Sequence, residues 1–207
     1  MSCRIYLVRH GETIWNAQFR FQGHSDIALS PRGLEQARAL AARLSGESFT
    51  AFYSSDLQRA LDTARILAEP HGLPVVTLKA LREINFGVWE GLTVAEIQNS
   101  YARELQEWWQ NPLHTRIPGG ETLAEVADRV TGGVREIVER HSDGQVVVVC
   151  HGGCIRTLVG SVLGMDLNQY WRLGVNNACL SILEFYSWEK GILTLFNDCS
   201  HLEKGEL

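Results

Sequence analysis

The stretch Leu7-Val8-Arg9-His10-Gly11-Glu12-Thr13 joins two unlike kinds of sequence: the end of an apolar, β-branched run over residues 3–8, then an arginine, an imidazole and a glycine. The run predicts a short strand, and Gly11 predicts the sharp turn that ends it. Such a strand delivers a cation and an imidazole to its tip. The pattern returns over residues 145–150, an apolar strand followed by His151, Gly152 and Gly153. A single histidine after a strand is usually structural; two tips of the same design are a pattern. Lying parallel in one sheet, the two strands place their carboxyl ends on the edge where open α/β folds bind ligands, so His10 and His151 are expected to face one pocket.

Working outward, the chain supplies the connections that parallel pairing requires. Thr13 to about Asn16 predicts a short helix, and the polar stretch 17–29, with Gln22-Gly23-His24 inside it, predicts a loop near the first tip. Ser30-Pro31 reads as an N-cap and first-turn proline for a helix over 31–44, with Leu34, Ala37, Leu40, Ala41 and Leu44 at helical spacing. Residues 51–54 predict a strand, and Ser55 or Asp56 the cap of a helix with Arg59 in its first turn. An arginine there sits beside the positive helix end, a mismatch that an anionic partner would relieve. Residues 74–78 predict another strand, and 81–91 a glycine-punctuated loop. Thr93 with Glu96 and Thr122 with Glu125 form capping boxes for helices ending near Ser100 and Arg140, with helix again over 103–110 and a break at Pro112, Pro118, Gly119 and Gly120. Residues 92–121 are expected to form a lid over the tips, their tryptophans serving as packing. The helix after His151 begins where free N–H groups favour an anion. Helix is also expected over 166–172. Residues 178–188 and 191–197 read as a strand pair joined near Glu189-Lys190-Gly191, and the polar tail 198–207 as folding back over the site or fraying. The expectation is an α/β fold: three layers around a mainly parallel sheet with a C-terminal antiparallel strand.

At 207 residues, 45% apolar and 21% charged, the chain suits one domain spanning 1–207. A net charge of −5 argues against a broad nucleic-acid or anionic-membrane surface. Five scattered cysteines without a C-x-x-C pair suggest reduced thiols in a cytoplasm, and the N-terminal apolar run is too short for a signal peptide or a membrane span. Soluble, cytoplasmic protein is the expectation.

Arg9-His10-Gly11-Glu12-Thr13 followed by Trp15-Asn16 resembles the signature of the histidine phosphatase, or phosphoglycerate-mutase-like, superfamily, and further motifs extend the resemblance along nearly the whole chain. Ser54-Ser55-Asp56-Leu57-Gln58-Arg59-Ala60 is similar to the family's second arginine motif, whose phosphate-binding arginine matches Arg59. Arg82-Glu83-Ile84-Asn85-Phe86-Gly87-Val88-Trp89-Glu90-Gly91 resembles its acid loop; the carboxylate of that loop matches Glu83, with Glu90 as competitor. Asn16, Gln22 and Gly23 match positions on the substrate side. The resemblance implies a phosphoglycerate-mutase-like sandwich that takes a small phosphorylated metabolite without cofactor or metal, and it suggests a homodimer.

Phosphoryl transfer needs an aligned nucleophile and positive groups around the phosphoryl oxygens. A neutral imidazole with an ordinary pKa of about 6.5 makes His10 the candidate nucleophile. Arg9 and Arg59 offer planar donor forks, His151 a further donor and Gly152 its N–H. Glu83 would protonate the leaving oxygen and then activate water. A zinc hydrolase lacks local ligand spacing, and neither a phosphate-binding glycine loop nor a G-x-S-x-G elbow occurs. A non-catalytic phosphate-recognising protein is disfavoured because nucleophile, clamp and acid all match. The short chain, Pro118-Gly119-Gly120-Glu121 and His151-Gly152-Gly153 resemble the small phosphatases, including α-ribazole phosphatase and broad-specificity enzymes, more than the longer cofactor-dependent mutases. Hydrolysis is the expected reaction and mutase activity the alternative. Residues 197–203 also resemble metal-independent phosphoserine phosphatases, from which Ser200 and the residues after His201 depart.

Overall fold

The computed structural model describes residues 2–202. Its strands are β1 (Cys3–Arg9), β2 (Ala51–Ser54), β3 (Val75–Thr77), β4 (Gln145–Cys150), β5 (Leu180–Phe185) and β6 (Gly191–Asp198), in the sheet order β3-β2-β4-β1-β5-β6. The first four are mutually parallel; β5 runs antiparallel to β1, and β6 antiparallel to β5. The helices are α1 (Ile14–Ala17), α2 (Pro31–Leu44), α3 (Gln58–Ala68), α4 (Val94–Ser100), α5 (Ala102–Gln110), α6 (Leu123–Arg140) and α7 (Gly152–Val162).

Both faces of the sheet are covered, which is why β1 and β4 read as unbroken apolar runs. Ile5 and Leu7 of β1, with Val146, Val148 and Cys150 of β4, pack in one core with Val126, Val130 and Val134 of α6 and Ile155 and Leu158 of α7. Their alternates Tyr6, Val8, Val147 and Val149 pack on Ala37, Leu40 and Leu44 of α2 and Ala60, Ala64 and Leu67 of α3. The β1–β4 register pairs Val8 with Val149 and Arg9 with Cys150, so His10 and His151 leave the sheet side by side.

The expected cap of α3 is corrected. Ser55 and Asp56 do not cap α3: Leu57 holds the cap position without a side-chain bond. Asp56 is instead committed to a two-pronged pair with Arg82 (2.7 and 2.6 Å), and the Gln58 N–H donates to Asp26 Oδ1 at 2.7 Å from the 17–29 loop. The helix expected over 166–172 is present as a 3-10 helix over Leu167–Arg172, capped by Asp166. The β5–β6 turn lies where it is expected, the Ser187 carbonyl accepting from the Lys190 N–H. Asp198 pairs with Arg43 of α2, while residues 203–207 of the tail lie outside the described residues.

Gly11 is needed for space, not for an unusual turn. Its φ is not positive, and a Cβ there would lie 2.3 Å from the Gly33 carbonyl oxygen. A Cβ on Gly33, in the first turn of α2, would in turn lie 2.0 Å from the Glu12 carbonyl oxygen. Helix propensity favours Gly33→Ala by about 1 kcal/mol, but the backbone displacement costs roughly 1–3 kcal/mol or more. Gly33→Ala is therefore expected to lower the urea midpoint; a raised midpoint would show that α2 can shift freely.

Candidate active site

The carboxyl ends of β1 and β4 open into a cavity of about 390 Å³. Its lining combines the polar groups of Arg9, His10, Asn16, Gln22, Arg59, Glu83 and Gly152 with the apolar side chains of Phe19, Phe21, Ile84, Phe86, Val94 and Tyr170. Of the residues expected at the site, His151 and Gly23 do not line this cavity. The His151 ring packs against His10 at 5.1 Å between centroids, and the Gly23 carbonyl accepts from Arg59 at 2.8 Å.

Each side chain is aimed by a local bond. His10 Nδ1 lies 2.7 Å from the Gly11 carbonyl oxygen, an acceptor only, so Nδ1 carries the proton and Nε2 the lone pair. The His10 backbone is fixed by bonds to Cys150 and Ala178 and by the Asn177 side-chain amide (3.2 Å). Arg9 donates one guanidinium nitrogen to the Val175 carbonyl (2.6 Å), and Arg59 donates to the carbonyls of Ser25 and Gly23 (2.8 Å each). Thr13 locks both amides: its backbone N–H donates to Asn16 Oδ1 at 3.1 Å and its hydroxyl to Gln22 Oε1 at 2.9 Å. Their amide N–H groups are left to face other partners.

The polar balance is unusual. His10, Arg59 and His151 are buried at one spot and Arg9 is half-buried beside them, and among the described residues neither Arg9 nor Arg59 is in an ion pair. The Nε atoms of Arg9 and Arg59 and both ring nitrogens of His151 are buried without a hydrogen-bond partner among those residues. Burial, then the charges of Arg59 and Arg9, holds His10 well below the usual histidine range; burial, Arg59 and His10 do the same to His151. Burial also brings Arg59 down to about 10.

The two competing carboxylates are used differently. Glu90 is consumed by the 17–29 loop, accepting from the backbone N–H groups of His24 and Ser25 (2.8 Å each) and the Ser25 hydroxyl (2.6 Å). Glu83 lines the cavity, where its carboxylate accepts from the N–H groups of Ile84 (2.9 Å) and Gly153 (3.2 Å).

Residues 5–198 match the family model of the histidine phosphatase superfamily (branch 1). The chain belongs to that superfamily. This histidine phosphatase is 38% identical over 196 residues to phosphoserine phosphatase 1 of Hydrogenobacter thermophilus, covering 95% of this chain and 93% of the relative. It is 36% identical over 203 residues to phosphoglycerate mutase-like protein 4 of Arabidopsis thaliana, covering 97% and 87%. The solved structure of phosphoserine phosphatase from Entamoeba histolytica in complex with 3-phosphoglyceric acid superposes with a TM-score of 0.88 at 29% identity, covering 97% of this chain and 100% of that one.

Sequence reasoning missed Arg156 and the apolar lining of this phosphatase. Arg156 lies one helical turn beyond Gly152-Gly153 and lines the same cavity, its Nε donating to the Leu173 carbonyl at 2.8 Å. The i, i+4 spacing from Gly152 was the available signal. The apolar lining residues come from four separate segments and carry no local signature. No described helix is long and apolar enough to cross a membrane, and the described residues hold no cluster of three or more His, Cys, Asp or Glu suited to a metal.

The two glycines after His151 should respond differently in the histidine phosphatase. A Cβ on Gly152 would meet Arg9 at 3.5 Å, an ordinary contact, whereas one on Gly153 would lie 2.3 Å from Glu83 Oε1. Gly152→Ala should retain turnover within about threefold and Gly153→Ala should lose about 10²-fold; equal losses would show that Glu83 is not held against Gly153. In the pH dependence of stability, the unfolded histidines titrate near 6.5 and the folded His10 and His151 well below it, so the unfolded chain binds more protons as pH falls. Their contribution is complete above 6.5 and is lost below it, by up to roughly 1.4 kcal/mol per pH unit for each. Urea titrations between about pH 7 and 5 should show that slope, and His151→Gln should reduce it by about one proton; an unchanged slope would contradict buried neutrality.

Proposed function

We propose that the protein is a metal-independent phosphomonoesterase that hydrolyses a small phosphorylated metabolite through a phosphohistidine on His10. The observation that carries this reading is the cluster of buried, unpartnered nitrogens on Arg9, Arg59 and His151 around the imidazole of His10. Buried donors without partners are costly, and the oxygens of a phosphoryl dianion can accept from Arg9, Arg59 and the protonated ring nitrogen of His151. The same arginines disfavour a metal cation at this spot.

In the first half-reaction the Nε2 lone pair of His10 attacks phosphorus and the ester P–O bond breaks. Glu83 gives its proton to the departing oxygen. In the second, the Glu83 carboxylate takes a proton from water as the water oxygen attacks phosphorus and the P–N bond breaks, releasing inorganic phosphate and restoring both residues. Arg9, Arg59, His151 and the Gly152 N–H hold the phosphoryl oxygens, with Asn16 and Gln22 donating their amide N–H groups. Gly23 acts through Arg59, whose fork its carbonyl orients. The five cysteines, none of them in a disulfide, fit a reducing cytoplasm.

The test is phosphate release in EDTA from p-nitrophenyl phosphate, phosphoserine, α-ribazole phosphate and 3-phosphoglycerate, with 2-phosphoglycerate formation followed in parallel. Release should survive chelation and vanish in His10→Ala. Glu83→Gln should cost roughly 10²–10⁴-fold, and Arg9→Ala or Arg59→Ala about 10²-fold or more. Near-normal turnover by His10→Ala would end the proposal. Isomerisation without release would favour the mutase reading that the name of the Arabidopsis relative suggests.

A further inference from the structure

Arg129 of α6 lies behind the acid loop and commits all five of its N–H donors. Nη1 donates to the carbonyls of Ala80 (2.8 Å) and Arg82 (2.6 Å), and Nη2 to that of Glu83 (2.8 Å). The remaining Nη2 and Nε donors grip the Glu121 carboxylate at 2.9 and 2.8 Å. Glu121 also accepts the Asn85 N–H at 2.9 Å, so both partners hold the same loop from two sides. Two further donors converge there: Cys154 Sγ on the Arg82 carbonyl (2.7 Å) and His24 Nε2 on that of Glu83 (3.0 Å).

This arrangement is more than loop anchorage, because its target is the main chain under one side chain. Among the described residues, the Glu83 carboxylate accepts hydrogen bonds only from the N–H groups of its neighbour Ile84 and of Gly153, so its position follows from where the backbone of residues 82–84 is pinned. A proton donor displaced by about 1 Å loses much of its effect. A lysine in place of Arg129 would keep the charge but offers three donors and no planar fork.

We propose that Arg129, clamped by Glu121, is the positioning residue that sets the placement of Glu83 for proton transfer. The inference rests on the reading of Glu83 as proton donor. It explains why Glu121, next to the Pro118-Gly119-Gly120 turn, is oriented toward the acid loop without lining the cavity.

The experiment uses the dependence of kcat/KM on the leaving group. The p-nitrophenolate ion leaves without being protonated, whereas the alkoxide of β-glycerophosphate requires a proton, so loss or misplacement of the acid penalises the second substrate selectively. Wild type, Glu83→Gln, Arg129→Lys, Glu121→Gln and the Glu83→Gln/Arg129→Lys double variant are compared on both. Glu83→Gln should lose at least about tenfold more on β-glycerophosphate than on p-nitrophenyl phosphate. Arg129→Lys and Glu121→Gln should show the same bias, and Arg129→Lys should add less than about threefold in the Glu83→Gln background. Should Arg129→Lys fail to fold, Glu121→Gln, which keeps the shape of the clamp and weakens it, decides alone. Equal losses on the two substrates, or full additivity with Glu83→Gln, would mean that Arg129 only stabilises the fold. If Glu83→Gln itself shows no bias, the acid assignment fails and takes this inference with it; if it shows the bias and the clamp variants do not, the inference alone fails.

Discussion

The parallel pairing of β1 with β4 is the constraint on which everything else depends. Side chains alternate between two covered faces, so a slip of one residue in this register would turn Ile5 and Leu7 from the α6–α7 core into the α2–α3 core and exchange Tyr6 and Val8 with them. The two cores thus fix the register. The register in turn places Arg9 opposite Cys150 and brings the two imidazoles within 5.1 Å. Packing that carries no chemistry decides the distance between the groups that do.

The edge so assembled is electrostatically expensive. Each buried guanidinium gives up hydration worth several kcal/mol, and the carbonyls of Val175, Ser25 and Gly23 recover only part of it while fixing the direction of the forks. Burial first, and the positive field after it, suppresses protonation of both histidines, which keeps a lone pair on His10 without a neighbouring base. A bound anion that relieves this field stabilises the fold by mass action. The destabilised edge and the proposed affinity for phosphate are two descriptions of the same unpaired charge.

Much of this was legible in the sequence because it is written locally. The apolar runs ending in Arg9-His10 and His151, the Ser30-Pro31 cap and the capping boxes at Thr93 and Thr122 each depend on neighbours within a few residues, and they appear in the structure where their chemistry places them. What was hidden is non-local. Asp26 satisfies an N–H of α3 from 32 positions away, and Asp56 abandons that helix because Arg82 offers two charged bonds. Arg129 and Arg156 look in sequence like ordinary solvent-facing helical arginines; only the packing of α6 and α7 turns one toward the acid loop and the other toward the cavity. Glu83 and Glu90 are likewise indistinguishable by composition, and they part company through what the 17–29 loop demands of Glu90.

The close approach of Gly11 and Gly33 has a consequence for anyone who would move this site elsewhere. The loop bearing His10 and the first turn of α2 touch backbone to backbone, so neither position accepts a side chain while the other stays put. The portable unit is accordingly not the seven-residue signature but strand, loop and following helix, residues 3–44. A graft that copied the loop bearing His10 onto another α/β scaffold and kept that scaffold's own helix would import the histidine without the surface that shapes its turn.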